Sequence, residues 1–316
     1  VARMAEEQLD LAMRSGSGLD DDVQLAMAES MRTFIRGEHR KASAVALQAL
    51  ERIGMRQGAE DLLWMTMWGV ARGERVRIMD RVLALRPKFR MAWLCRGVEH
   101  LELGKLEEAI SDTTNAIEVS PRFWEAYYTR GNAWEDKGDL DRAIADLSEV
   151  IRINPQFAPA HDGLGVAWEK KRDLDQAMIH YNEAIQIDPK SAQFWANRGG
   201  VWGKKGDLHQ AMADYNEAIR INPKSSFAYI GRGVIWEKRK EWDRAVAEYT
   251  EAIRVDPKDA MAYAYRGVVW NVKGDLERAM ADYKEALRVA PGEWEYRKRT
   301  LENLERVEKT LEHKEQ

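Results

Sequence analysis

His161 and Asp162 stand side by side, the residue types of a general base and a carboxylate that could orient it, and Cys95 is a thiol that would be reactive if exposed beside cations. Neither has the company such chemistry needs. His39, His100, His180, His209 and His313 are scattered and share no face. No nucleophile motif, phosphate-binding glycine loop, dinucleotide fingerprint or paired-His metal spacing occurs. With Cys95 as the sole cysteine, no intrachain disulfide and no cysteine-based metal centre can form, and a lone helical cysteine usually acts as a small apolar residue. No catalytic residue, metal or cofactor is therefore expected.

The places of these residues are set by repetition. The stretch RGNAWEDKGDLDRAIADLSEVIRINP, from Arg130 to Pro155, returns as RGGVWGKKGDLHQAMADYNEAIRINP from Arg198 and as RGVVWNVKGDLERAMADYKEALRVAP from Arg266. Pro87, Pro121, Pro155, Pro189, Pro223, Pro257 and Pro291 follow at intervals of 34 residues, enclosing six units. Such a period, with helical apolar spacing and a terminal proline, builds a two-helix unit that stacks on its neighbours. His161 occupies the slot that other units fill with Trp93, Tyr127, Trp195, Tyr229 and Tyr263, so it reads as a packed histidine.

Counted from three residues after each proline, position 8 is Gly97, Gly131, Gly165, Gly199, Gly233 and Gly267, and position 20 is Ala in all six units, Ala109 to Ala279. Position 27 is Ala except at Val150. Two helices joined by a short turn approach closely only where such small residues meet the partner's ridge. Trp recurs at position 11 from Trp134 to Trp270, and Tyr181, Tyr215, Tyr249 and Tyr283 hold position 24. With these residues in register, the chain resembles the tetratricopeptide repeat family over residues 87 to 316.

The resemblance implies an all-α, right-handed α-solenoid of stacked helix-turn-helix repeats. Residues 1–22 read as an N-terminal segment and linker, 23–86 as degenerate capping hairpins, 87–293 as six repeats and 294–316 as a capping helix. Within each repeat, helix A should span about positions 2–14 and helix B about 17–30. Gly104, Gly138, Gly206 and Gly274 then fall where helix A ends in a left-handed residue, and Asp139, Asp207 and Asp275 cap helix B. Arg172 and Lys240 replace that glycine in two units, at a cost of about 1 kcal/mol each if the turn is kept.

Charge is patterned as well. Position 7, usually Leu in this family, is Arg96, Arg130, Arg198, Arg232 and Arg266, each accompanied at position 23 by Asp112, Asp146, Asp214, Glu248 or Asp282. The third unit loses both, having Leu164 and His180, which points to an ion pair between the two helices of a hairpin. Lysines at the end of helix A are followed by acids that should neutralise them.

A net charge of −4 argues against a nucleic-acid backbone binder. With 32% charged residues and no run of eighteen apolar ones, membrane insertion is not expected. The compartment stays open, with the cytoplasm favoured for a soluble chain. The start at Val1 leaves both a removed leader and excision from a longer protein open.

In this family, positions 2, 5 and 9 of helix A line the groove in which partners lie. Tyr128 and Asn132 occupy such positions, but the Lys–Asn clamp that binds C-terminal carboxylates is missing. The last two units present an apolar strip, Phe227, Ile230 and Val234 followed by Met261 and Val268 with Tyr265 beside them, and Lys204 and Lys238 are expected near its rim. The resemblance therefore implies a non-catalytic scaffold for a protein or peptide partner carrying apolar anchors and some acid. The alternatives are a self-assembling homo-oligomer and a regulatory segment of a larger protein.

Overall fold

The computed structural model describes residues 72–292 and 294–315. The expected segment 1–22, with most of the capping region 23–86 and His39, lies outside them. Among the described residues the regular elements are fourteen α-helices. Helix α1 (Arg72–Leu85) precedes α2 (Arg90–Glu102) and α3 (Leu106–Val119), then α4 (Trp124–Lys137) and α5 (Leu140–Ile153). After them come α6 (Ala158–Lys170), α7 (Leu174–Ile187), α8 (Ala192–Lys205), α9 (Leu208–Ile221) and α10 (Ser226–Lys238). The last are α11 (Trp242–Val255), α12 (Ala260–Val272), α13 (Leu276–Val289) and α14 (Arg297–Glu315). The chain divides into two compact units, the first ending at Asn154 and the second starting at Pro155. In each, consecutive helices pack as hairpins, α2 with α3 and α4 with α5 in the first, and α6 with α7 through α12 with α13 in the second.

The hairpin turns follow from local backbone chemistry. Gly104, Gly138, Gly206 and Gly274 end helix A at φ 72°, 85°, 88° and 84°, the left-handed region open to glycine. Arg172 and Lys240 adopt φ 66° and 60°, so both turns keep their shape without the residue that favours it. Helix B then starts on a carboxylate: Asp139, Asp207 and Asp275 accept from the backbone N–H of Arg142, Gln210 and Arg278 at 3.2, 3.0 and 3.1 Å. Asp173 does the same for Gln176 at 3.0 Å. Each cap satisfies one of the amides that the first helical turn leaves without a partner.

Packing between the two helices depends on position 8. A methyl group on Gly165 or Gly233 would come within 2.5 Å of the ring of Tyr181 or Tyr249 in the facing helix B. The tyrosine fills the space that the missing side chain leaves, and Tyr181, Tyr249 and Tyr283 are among the most deeply buried side chains.

All five expected ion pairs form. Arg96, Arg130, Arg198, Arg232 and Arg266 meet Asp112, Asp146, Asp214, Glu248 and Asp282 at 2.7, 2.7, 2.8, 2.7 and 2.8 Å. In the third repeat Leu164 is buried and His180 faces His161, their ring centroids 6.0 Å apart. Helix α14 closes the second unit by burying Leu304 and Val307 against Ala279 and Tyr283 of α13, while Leu301 stays exposed. No described helix is long and apolar enough to cross a membrane.

Candidate functional site

The two residues with apparent catalytic chemistry are held apart from it. His161 is buried with its Nδ1 unbonded, while Asp162 accepts from Asn197 Nδ2 at 2.9 Å. Burial, with His161 adding to it, pushes the His180 imidazole below its usual range, which favours a neutral His180 packed beside His161. Burial likewise pushes the Cys95 thiol up to about 12, away from the thiolate that reactivity requires.

The lysines are also engaged inside the chain. Lys204 Nζ, near the end of α8, lies 2.5 Å from Glu169 Oε1 of α6, and Tyr181 donates to the other oxygen of that carboxylate at 3.0 Å. Lys238 Nζ donates to the Gly203 carbonyl at 2.7 Å. Lys137 meets Glu107 at 2.5 Å, and Lys205 and Lys273 pair with Asp175 and Asp243. Lys204 and Lys238, expected near the rim of the strip, tie each repeat to the one before it.

The expected strip is divided by its own packing. Phe227 on α10 is 47% exposed, whereas Ile230, one turn on, is 5% exposed and packs among Tyr249, Ala252 and Ala262. Ile230 is core, and its assignment to an open binding face is corrected. At the equivalent place on α12 the smaller Ala264 leaves space unfilled. There Met261, Ala264, Tyr265 and Val268 line one side of a cavity of about 120 Å³. Trp294 and Tyr296, just before α14, supply further walls, and Glu237 of α10 and Tyr283 of α13 reach it as well. Val234 is half-buried beside the Ile230 cluster. Tyr128 and Asn132 are half-buried on α4, in the first unit.

Two relationships escaped sequence reasoning. Each position-7 arginine stacks over the ring three residues earlier, Arg96 on Trp93 and Arg198 on Trp195 at 4.8 Å, Arg130 on Tyr127 and Arg232 on Tyr229 at 5.5 Å, and Arg266 on Tyr263 at 5.8 Å. Its remaining nitrogen reaches back to the preceding hairpin. Arg130 and Arg266 donate to Thr114 and Thr250 Oγ1 at 3.0 Å, and Arg198 and Arg232 to Asn182 and Asn216 Oδ1 at 2.8 and 2.9 Å. A polar residue sixteen positions before each arginine was the available signal.

Three family models, each described as tetratricopeptide repeat, match residues 94–158 with 236–293, 158–191 and 192–225, together more than half of the chain. No curated protein matches it. Among solved structures it is similar in fold to a chain of the APC/C hetero-tetramer Cut9–Hcn1, at 18% identity and a TM-score of 0.66. That match covers 96% of this chain but only 59% of the other. It is also similar to a tetratricopeptide repeat protein from Parabacteroides merdae, at 16% identity and a TM-score of 0.61 over 91% and 99% of the two chains. A third similarity is to Pseudomonas aeruginosa PilF, at 19% identity and a TM-score of 0.55 over 67% and 97%. The 34-residue register, the left-handed helix ends, the glycine–tyrosine packing and these matches lead to one assignment: the chain belongs to the tetratricopeptide repeat family.

Proposed function

We propose that the chain is a non-catalytic scaffold that captures a peptide segment of a protein partner along the helix A face of its last two repeats, next to α14. The observation that carries this reading is the open cavity of about 120 Å³, walled by aromatic and aliphatic side chains of α12 and the approach to α14. An apolar depression with a few polar groups is the usual form of a recognition site. Exposed Phe227 on α10 offers a further apolar contact. Burying two or three anchors there supplies several kcal/mol before ordering terms are subtracted, in keeping with reversible binding of about micromolar strength. With Lys204 and Lys238 paired internally, apolar anchors carry most of the partner's affinity.

Selection of displayed peptides on the wild-type chain tests this. Binders should lose at least about tenfold in affinity on a Phe227→Ser, Ala264→Gln variant whose melting temperature stays within a few degrees of wild type. Undiminished binding by the folded variant would place the site elsewhere.

A further inference from the structure

The helix A ends carry a lysine at position 13 in three successive repeats, Lys170, Lys204 and Lys238, and lose it in the last. The residue at position 13 of one repeat reaches position 12 of the repeat before it, thirty-five residues earlier: Lys204 to the Glu169 carboxylate, and Lys238 to the Gly203 carbonyl. The next such pair is Val272 and Glu237. Val272 is 56% exposed, an apolar side chain in water where the three repeats before it have a lysine. Glu237 therefore lacks the cation that Glu169 has. The Tyr249 hydroxyl stands beside the carboxyl and acts on it, but in a looser contact than the hydrogen bond that Tyr181 gives Glu169.

Three buried polar atoms are left without a partner: Glu237 Oε1 and the hydroxyls of Tyr249 and Tyr283, whose side chains are 0% and 1% exposed. Glu237 acts electrostatically on Tyr249, Tyr265 and Tyr283, so these groups share one neighbourhood, and both Glu237 and Tyr283 line the cavity. Orphaned buried acceptors around an acid lose several kcal/mol of solvation unless a donor supplies it. Arg299 of α14 also borders the cavity, yet it acts on Tyr265 and Tyr283 and is not among the groups that shift Glu237.

We propose that this cavity receives the side chain of a lysine from the partner segment, its ammonium meeting Glu237 and the Tyr283 hydroxyl and its methylenes lying against Met261, Val268 and Tyr265. A primary ammonium brings three donors and a positive charge, matching the acid and the unpartnered Tyr283 hydroxyl that line the cavity. Tyr265 and Tyr296 add aromatic walls to the cavity. The volume of about 120 Å³ is room for roughly four water-sized groups, enough for an ammonium and two or three methylenes. The partner thus replaces the cation that Val272 omits. Burial, opposed by Tyr249, pushes the Glu237 carboxyl up to about 7, so the site gains its charge near neutral pH.

The proposal rests on the reading that partners use this face, and its test separates the two. N-acetyl-lysine methylamide and its norleucine counterpart, equal in stem but not in charge, are titrated against the full chain carrying ¹³C-labelled methionine methyls, with the Met261 methyl as reporter. The lysine amide should shift that signal at concentrations at least about tenfold lower than the norleucine amide, and more strongly at about pH 8 than at about pH 6. Glu237→Gln should remove the difference. Val272→Lys, at an exposed position that does not threaten folding, should also remove it by seating an internal lysine on Glu237. Equal response to the two amides, or lysine binding untouched by Val272→Lys, overturns the proposal. If displayed peptides still depend on Phe227 and Ala264 in that event, the binding face stands and only its lysine pocket is lost.

Discussion

Lys204 Nζ sits 2.5 Å from Glu169 Oε1, joining α8 to α6 across a repeat boundary. Two repeats later the same geometry is offered to Glu237 by Val272, which cannot answer it. Restoring the pair with Val272→Lys should stabilise the chain by about 0.5–1 kcal/mol at pH 8, the range of a partly screened ion pair relieving a half-buried acid. Urea denaturation measures this, and an unchanged or lowered midpoint would show that Glu237 lies beyond the new lysine's reach.

Glu237 also sets a pH dependence whose sign can be worked out. Its carboxyl titrates at about 7 in the folded chain, above its ordinary value of 4.5, because burial disfavours the charged form. Between those values the folded state holds a proton that the unfolded state has released, so stability falls as pH rises through this window. Glu237→Gln should be close to neutral at pH 4 and stabilising at pH 8, by about 1–2 kcal/mol after allowance for the part of the side chain open to solvent. Paired denaturation curves of wild type and variant at the two pH values check it.

The repeat's arginines give a third expectation. Arg130 Nε and Nη2 grip both oxygens of Asp146, at 2.7 and 2.8 Å, and that aspartate is buried. Arg130→Leu alone strands the acid and should destabilise by about 3 kcal/mol, whereas Arg130→Leu with Asp146→Leu should recover most of the loss. A double variant as unstable as the single one would mean that the pair's worth lies in shape and not in charge.

How far the sequence could be read depended on how local each cause was. The left-handed turns and the aspartate caps are set by a few consecutive residues, so Gly138 and Asp139 announced the geometry that they adopt. The Arg130–Asp146 contact was legible because both members vanish together at Leu164 and His180. Ile230 was misplaced because nothing in its own unit shows that the space beside Tyr249 needs filling, and the partner of Lys204 was not foreseen because it lies one repeat and one residue away. The α12 side of the cavity, Met261, Tyr265 and Val268, was legible from the register, but its closure by Trp294, Tyr296 and α14 was not, since those residues lie past the last full repeat.

Lys240 supplies a prediction about the backbone alone. At φ 60° it occupies the conformation that Gly138 and Gly206 adopt in the matching turns. Lys240→Gly should stabilise by about 0.5–1 kcal/mol, and Gly206→Ala should destabilise by a similar amount. Thermal unfolding of the two variants tests the opposite signs together, and a loss of stability in both would mean that the Lys240 side chain makes a compensating contact.

The central claim is that partners dock on the helix A face of α10 and α12 beside α14, and hydrogen exchange with a selected peptide bound addresses it most directly. Amides in α10, α12 and the first turns of α14 should slow on binding, while those of α11 and α13, the helices B of the same repeats, should keep their free rates. Protection confined to α11 and α13, or to the first unit, would contradict the account.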